Sequence, residues 1–360
     1  MKSVLMVGAD VHDVNILTKS AVMLEESRRD TWRNNAAGRK AMTGWMKKLA
    51  RERGASEVIF AYEASGVGFG LYDDMKEAGI ECKVLAPTKM ERSAAEKRQK
   101  TDEKDAERAL KALRAHVLAG AELSCVWVPD EQTRDARELV RSRLDVGEKM
   151  TAVKSQIRCL LKRRRVGKPE EEARAWSKAH VEWLGELAKG GQLGAGTREG
   201  LATLLRQLKA LEGEEKVLDA AINKLSETER YKVSVEELTE WVGVGLLVAM
   251  VFLTEMGDLK RFRNRRQVGA YLGLAPTSYE SGEKDDCKGH ITHQGSERLR
   301  KVLCQATWAR VRGAGPEREA YERIVSRNPK HKKIAVVATM RKLGIRLWHA
   351  AMGAQGRQKA

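Results

Sequence analysis

Over the first third of the chain, short apolar runs alternate with helically spaced apolar positions. Val4-Leu5-Met6-Val7 is continuous and predicts a buried strand, and Ile16 to Leu24 predicts a second strand region. Between Arg39 and Glu52, Met42, Trp45, Met46 and Leu49 recur at helical spacing. Val58 to Tyr62 is a third strand. Phe69 to Ala78 reads as a helix that stops at Gly79, a residue suited to the left-handed position beyond a helix end. Cys82 to Leu85 is a strand halted by Pro87, and Glu103 to Leu118 is a helix. Strands alternating with helices predict an α/β layer around a central sheet.

From Asp130 to about Arg165 the pattern becomes one long charged helix with Leu139, Val146, Met150, Val153, Ile157 and Leu160 on its apolar seam. The glycines and proline between Gly167 and Gly196 predict a break. A second long helix is expected from about Thr197 to Tyr231, with Leu201, Leu204, Leu208, Leu211 and Leu218 at helical spacing. Two such helices predict either a coiled-coil stalk or an ordinary bundle. A Gly- and Arg-rich region follows to about Gly313, then a basic helical tail. The expected organisation is an α/β domain over 1–128, a long-helix region over 129–234 and a mainly helical domain over 235–360.

Composition sharpens this picture. The 360 residues carry 67 Lys plus Arg against 50 Asp plus Glu, a net charge of +17, which points to a polyanionic partner. The longest apolar run, Gly245 to Leu253, is too short to span a bilayer. The amino-terminal residues lack a signal-peptide cleavage pattern. Five scattered cysteines without a C-x-x-C argue against a disulfide framework and fit a reducing cytosol. The expected setting is cytoplasmic, in a bacterial or archaeal cell and associated with the nucleoid during activity.

The candidate chemistry lies in acidic residues at element ends. Asp10 ends the first strand, Glu63 follows Val58 to Tyr62, and Asp102 and Asp105 open a helix three residues apart, on one face. Adjacent strands bring their ends together, so Asp10 and Glu63 can be neighbours. Four carboxylates in one place repel, and a divalent cation with hard oxygen ligands relieves that repulsion. Paired metals on carboxylates are a common solution for phosphodiester chemistry. An acidic residue at a helix start is also an ordinary cap, so the case rests on the ordered set. Arg163, Arg164 and Arg165, at the end of the first long helix, are candidate nucleic-acid contacts, as are Arg261, Arg263, Arg265, Arg266, Arg298 and Arg300. A solvated basic face is the other reading of these arginines. Trp241 to Ala249 has the look of a helix-hairpin-helix turn that offers backbone N–H groups to a phosphate.

The order of these elements, with Asp on the first strand, Glu after a later strand and D-x-x-D on a helix, resembles a RuvC-like, ribonuclease-H-type domain. Tyr62-Glu63-Ala64-Ser65-Gly66, then Val84 to Pro87, then Lys100-Thr101-Asp102 through Asp105-Ala106, resembles the DEDD transposases of insertion-sequence family 110, including its 1111 branch. The segments Gly273-Leu274-Ala275-Pro276, Ser281-Gly282 and Gly295 to Arg300 resemble that family's carboxy-terminal transposase domain.

The resemblance implies a DNA recombinase that moves an insertion sequence and is guided by a structured non-coding bridge RNA, whose loops pair with target and donor DNA. It implies a serine nucleophile, at Ser281 by position with Ser278 the near alternative, and a covalent phosphoserine intermediate. It implies Mg²⁺, with Mn²⁺ as a substitute, on Asp10, Glu63, Asp102 and Asp105, and a homotetramer of paired dimers with no membrane partner. Acidic Glu280, Glu283, Asp285 and Asp286 surround Ser281 and mark a departure from the family pattern. Two other classes stay open on the residues alone. One is a metal-dependent nuclease or Holliday-junction resolvase acting by water attack. The other is a nucleic-acid-binding protein with a degenerate carboxylate pocket.

Overall fold

The early apolar runs assemble into a five-stranded sheet in a computed structural model that describes residues 3–87, 101–167, 175–278, 288–327 and 329–359. The strands are β1 (Val4–Val11), β2 (Asn15–Val22), β3 (Arg28–Arg33), β4 (Glu57–Glu63) and β5 (Glu81–Leu85). Their order is β3-β2-β1-β4-β5, with β1 parallel to β4, β4 parallel to β5, and the β1-β2-β3 pairings antiparallel. Three helices accompany it: α1 (Ala36–Glu52), α2 (Gly70–Glu77) and α3 (Asp102–Ala119). This mixed sheet with helices is consistent with a RuvC-like domain.

The unbroken apolar run of β1 has a physical reason: the strand is covered on both faces. Leu5, Val7 and Ala9 pack in one cluster with Met42, Met46 and Met75 from α1 and α2. Val4 and Met6 point the other way, into a cluster with Ala109, Leu110 and Leu113 of α3. Helix α3 comes very close to β1 at Gly8. A Cβ there would lie 2.3 Å from the Leu110 nitrogen and 2.4 Å from the Ala106 carbonyl oxygen, so only glycine fits. Strand β3 was not anticipated. It is a largely exposed edge strand, Arg-Arg-Asp-Thr-Trp-Arg, whose charges mask its pattern. The opposite edge is covered: Val126 donates to the Val84 carbonyl at 2.7 Å, and Leu85 bridges to Cys125.

The chain divides into two compact units, Met1–Val128 and Pro129–Ala360. The second begins with α4 (Glu131–Arg163), capped by Asp130, whose carboxylate accepts from Thr133 N at 2.7 Å and is gripped by Arg230 at 2.8 Å. Helix α4 packs against α6 (Ala195–Ser226), and α5 (Lys178–Lys189) joins them. Met150, Ile157, Leu184, Leu187, Leu201 and Leu208 form their shared core. Helix α5 falls inside the stretch expected as a break. The remaining elements are α7 (Lys232–Thr239), α8 (Leu246–Met256), α9 (Arg265–Tyr271), the strand pair β6 (Pro276–Ser278) and β7 (Lys288–Ile291), α10 (Glu297–Arg312), α11 (Pro316–Arg327) and α12 (Lys332–Lys359). A turn joins α7 and α8 at the position of the expected hairpin. It packs against α10 through Gly243, close to Ala306 and Ala309.

Helix α8 is the core of this unit, and Glu255 near its end is buried. Arg141 of α4 binds its carboxylate through two hydrogen bonds of 2.8 and 3.1 Å. Arg137 donates to the Thr254 and Glu255 carbonyls, and the Tyr271 hydroxyl donates to the Glu255 carbonyl. Helix α12, the basic tail of the sequence, buries Ala335, Leu343, Leu347 and Ala351 and is an integral part of this core. The cysteines among the described residues are unbridged. No described helix is long and apolar enough to cross a membrane.

Candidate carboxylate site

Strand alternation sets which face each acidic residue occupies. Asp10 shares its face of β1 with Met6 and Gly8, the side covered by α3. The parallel register pairs Ala9 with Tyr62, so the next residues along, Asp10 and Glu63, end neighbouring strands side by side. Glu63 shares its face with Ile59 and Ala61, which also pack toward α3. Helix α3 starts above this point. Thr101 caps it by accepting from Lys104 N, and Asp102 and Asp105 lie in its first turn. All four predicted carboxylates thus belong to one side of the sheet, at the carboxyl ends of β1 and β4.

The side chains are more selective than the backbone. Asp10 and Asp102 come together around His12, with Nε2 2.9 Å from Asp10 Oδ2 and 3.3 Å from Asp102 Oδ1. One ligand atom from each of these three residues lies within 4.8 Å of the others. Asp105 is buried and held by Arg108 at 2.7 Å. Glu63 is half-buried and lies outside the three-residue group. Burial pushes the Asp10 carboxyl above its ordinary value; His12 opposes this, and the charges of Asp102 and Asp105 add to it. The Asp10 charge raises His12 in turn, against a smaller opposing effect of burial.

These residues fit a divalent cation. Asp10 Oδ2 is buried and has no aligned hydrogen-bond donor, although His12 Nε2 is near. The donor set of carboxylate oxygens and one imidazole suits a hard or borderline divalent ion. His12 was missed in the sequence. It follows the strand by one residue, is exposed, and carries no periodic signal; its only clue is the Asp-x-His spacing.

The arginines differ among themselves. The Arg261 guanidinium lies against both the Phe262 and Tyr271 rings, 4.1 and 4.3 Å from their centroids, and donates to the Met256 carbonyl, a structural setting. Arg298 pairs with Asp145 at 2.9 Å, and Arg300 donates to the Gly295 carbonyl at 3.1 Å. Arg263, Arg265 and Arg266 are exposed. Arg163 and Arg164 line a cleft with Gly194 to Thr197 at the start of α6, and Arg165 follows them beyond the helix end. Ser278 ends β6. Ser281 lies outside the described residues.

Two family models match this chain. One, described as a transposase of the DEDD type, covers residues 7–164 and with them every carboxylate above. The other, described as the transposase IS116/IS110/IS902 family, covers residues 235–323. The chain is 30% identical over 306 residues to y4qE of Sinorhizobium fredii, a protein named for transposase activity, covering 84% of this chain and 70% of that one. The chain belongs to the IS110 family of transposases. The transposase of the insertion element IS1533 from Leptospira borgpetersenii is 27% identical over 367 residues, covering 100% of this chain and 99% of its own length. The pilin gene-inverting protein of Moraxella bovis is 28% identical over 101 residues, 28% of this chain and 31% of that protein. As an IS110-family transposase, the protein is an enzyme acting on DNA. The family's DEDD chemistry points to a divalent metal, in keeping with the acidic group around Asp10.

Proposed function

We propose that this transposase is an RNA-guided recombinase that cleaves and rejoins DNA through a phosphoserine intermediate, with Mg²⁺ held by Asp10, Glu63, Asp102 and Asp105. The observation that supports the reading is the approach of Asp10 and Asp102 around His12, with Asp105 in the same first turn of α3 and Glu63 at the end of the strand beside β1. A relative named for inverting a pilin gene supports cutting with rejoining.

A bound divalent ion supplies charge neutralisation for the scissile phosphate. The chain's own residues do the rest. Asp10, Glu63, Asp102 and Asp105 would hold the ion, Arg108 keeps Asp105 in place, and the Ser281 oxygen attacks phosphorus. The Oγ–P bond forms as one P–O bond of the DNA breaks, and the serine proton passes through water to the departing oxygen. The reverse step on a second strand end rejoins DNA without an external energy source. Guide RNA selects the site by base pairing, so the protein reads backbone and shape. The tetramer of paired dimers, the stalk function of α4 and α6, and the phosphate contacts of the exposed arginines belong to the same proposal.

The test is denaturing electrophoresis of the protein with element-end DNA, Mg²⁺ and RNA transcribed from the element's flank. A protein–DNA adduct that disappears in Ser281→Ala and persists in Ser278→Ala is the expected result. Nicked DNA at full yield from Ser281→Ala, with no adduct in the wild type, would establish water attack and the nuclease reading instead.

A further inference from the structure

The second unit contains a groove of about 910 Å³ between α9, the β6–β7 pair and α12. Its floor is aliphatic: Ile291, Ile334, Val337 and Ile345 line it, and Ile334 is 60% exposed. Its rim is cationic, with Arg265 and Arg266 from α9 and Lys333, Arg341 and Lys342 from α12. Among the described residues, none of these five has an acidic partner within ion-pair distance. The packing makes room for one of them, since a Cβ on Gly269 would come within 2.8 Å of Arg341 Nε. A sixth cation, Arg346, is tied back to Glu317 and lies over the Trp241 ring, so it is already spent structurally.

An open greasy floor inside a ring of cations with no acidic partner among the described residues is costly unless something covers it. The cations are repelled by one another, and the aliphatic surface is left in water. A ligand with anionic groups along its edges and flat apolar surfaces between them satisfies both. A duplex meets only half of this description, because its bases are stacked inward and it offers phosphates alone. A single strand offers phosphates to the rim and unstacked base faces to the floor.

We propose that this groove holds a single-stranded segment of DNA. The inference rests on the DNA partner that family membership supplies and is independent of the serine chemistry and the metal.

The test is fluorescence anisotropy of the full chain with a labelled single-stranded oligonucleotide and with the matching duplex, in EDTA so that no cleavage intervenes. Lys333→Ala combined with Lys342→Ala weakens single-strand binding about tenfold and makes the slope of log K against log salt shallower by about 1.4, two phosphates' worth at roughly 0.7 each. Ile334→Ser leaves the salt slope unchanged and still weakens single-strand binding roughly fivefold by removing an apolar contact. Both changes leave duplex affinity within twofold. Unchanged single-strand affinity and slope in the double variant would overturn the proposal, as would an equal loss for the duplex, which would mean a general electrostatic face. Altered sedimentation of these variants with DNA affinity retained would assign the face to self-association and equally defeat it.

Discussion

Arg108 holds the carboxylate of Asp105 from one turn further along the same helix, at 2.7 Å, with Asp105 buried and Arg108 largely covered. It thereby competes with any cation for a predicted ligand. Removing one partner of a buried pair strands the other, at a cost of about 3 kcal/mol. Arg108→Ala is therefore expected to lower the melting temperature in EDTA and to recover more than the wild type does on adding Mn²⁺. Thermal denaturation with and without the ion checks this; equal recovery in the two proteins would show that Asp105 does not take part in metal binding.

Gly8 carries a different constraint. A methyl group there meets the α3 backbone at 2.3–2.4 Å, and backbone cannot rotate away. Gly8→Ala should destabilise the first unit by roughly 1–3 kcal/mol. It should also reduce DNA cleavage beyond what the lost stability explains, because α3 carries Asp102 and Asp105. Chemical denaturation alongside a cleavage assay well below the melting temperature separates the two effects.

Asp10 is expected to behave as a group placed for a ligand rather than for stability. Burial and the neighbouring carboxylates disfavour its ionised form, so its pKa is raised in the folded state. At pH 7 the charge therefore subtracts from stability, and acidification through the folded pKa relieves it. Asp10→Asn should melt above the wild type in EDTA, lose that advantage in millimolar Mg²⁺ or Mn²⁺, and lack cleavage activity in either condition. Calorimetry in the two buffers is the measurement.

Glu255 shows the opposite sign. Burial raises its carboxyl, and the hydrogen-bonded Arg141 with Arg137 beyond it more than offsets this, leaving the pKa below the ordinary glutamate value. The unfolded chain then binds the proton more readily. The stabilisation is fully present above the unfolded value of about 4.3 and is lost as pH falls through the folded one. Glu255→Gln should thus be clearly less stable than the wild type at pH 7, with the gap closing below about pH 4. Urea titrations at both pH values decide it.

Much of the architecture was legible because the two periodicities were clean. The Val4 to Val7 run reported a strand covered on both faces, and the Asp130 to Arg165 pattern anticipated α4 within two residues at either end. Strand β3 escaped notice because an edge strand needs only Asp30 and Trp32 turned partly inward, and its arginines read as loop. Helix α5 was hidden by the glycines around it, although His180, Leu184 and Leu187 keep helical spacing and are buried. At the site, the carboxylates could be placed from strand ends and a helix start. His12 and Arg108 could not, since their parts depend on tertiary proximity. Arg261 shows the same limit from the other side: a basic residue in a basic run packs against two rings.

The sheet has two unlike margins. One is closed by the strand-like segment through Cys125; the other, β3, has no further strand paired to it among the described residues. Arg28, Arg29 and Arg33 line that margin, Arg28 paired with Asp30 at 2.9 Å and Arg29 with Glu103 at 3.3 Å. Charged side chains on an edge strand discourage another strand from adding there, and here two of the three arginines are also tied into their own unit.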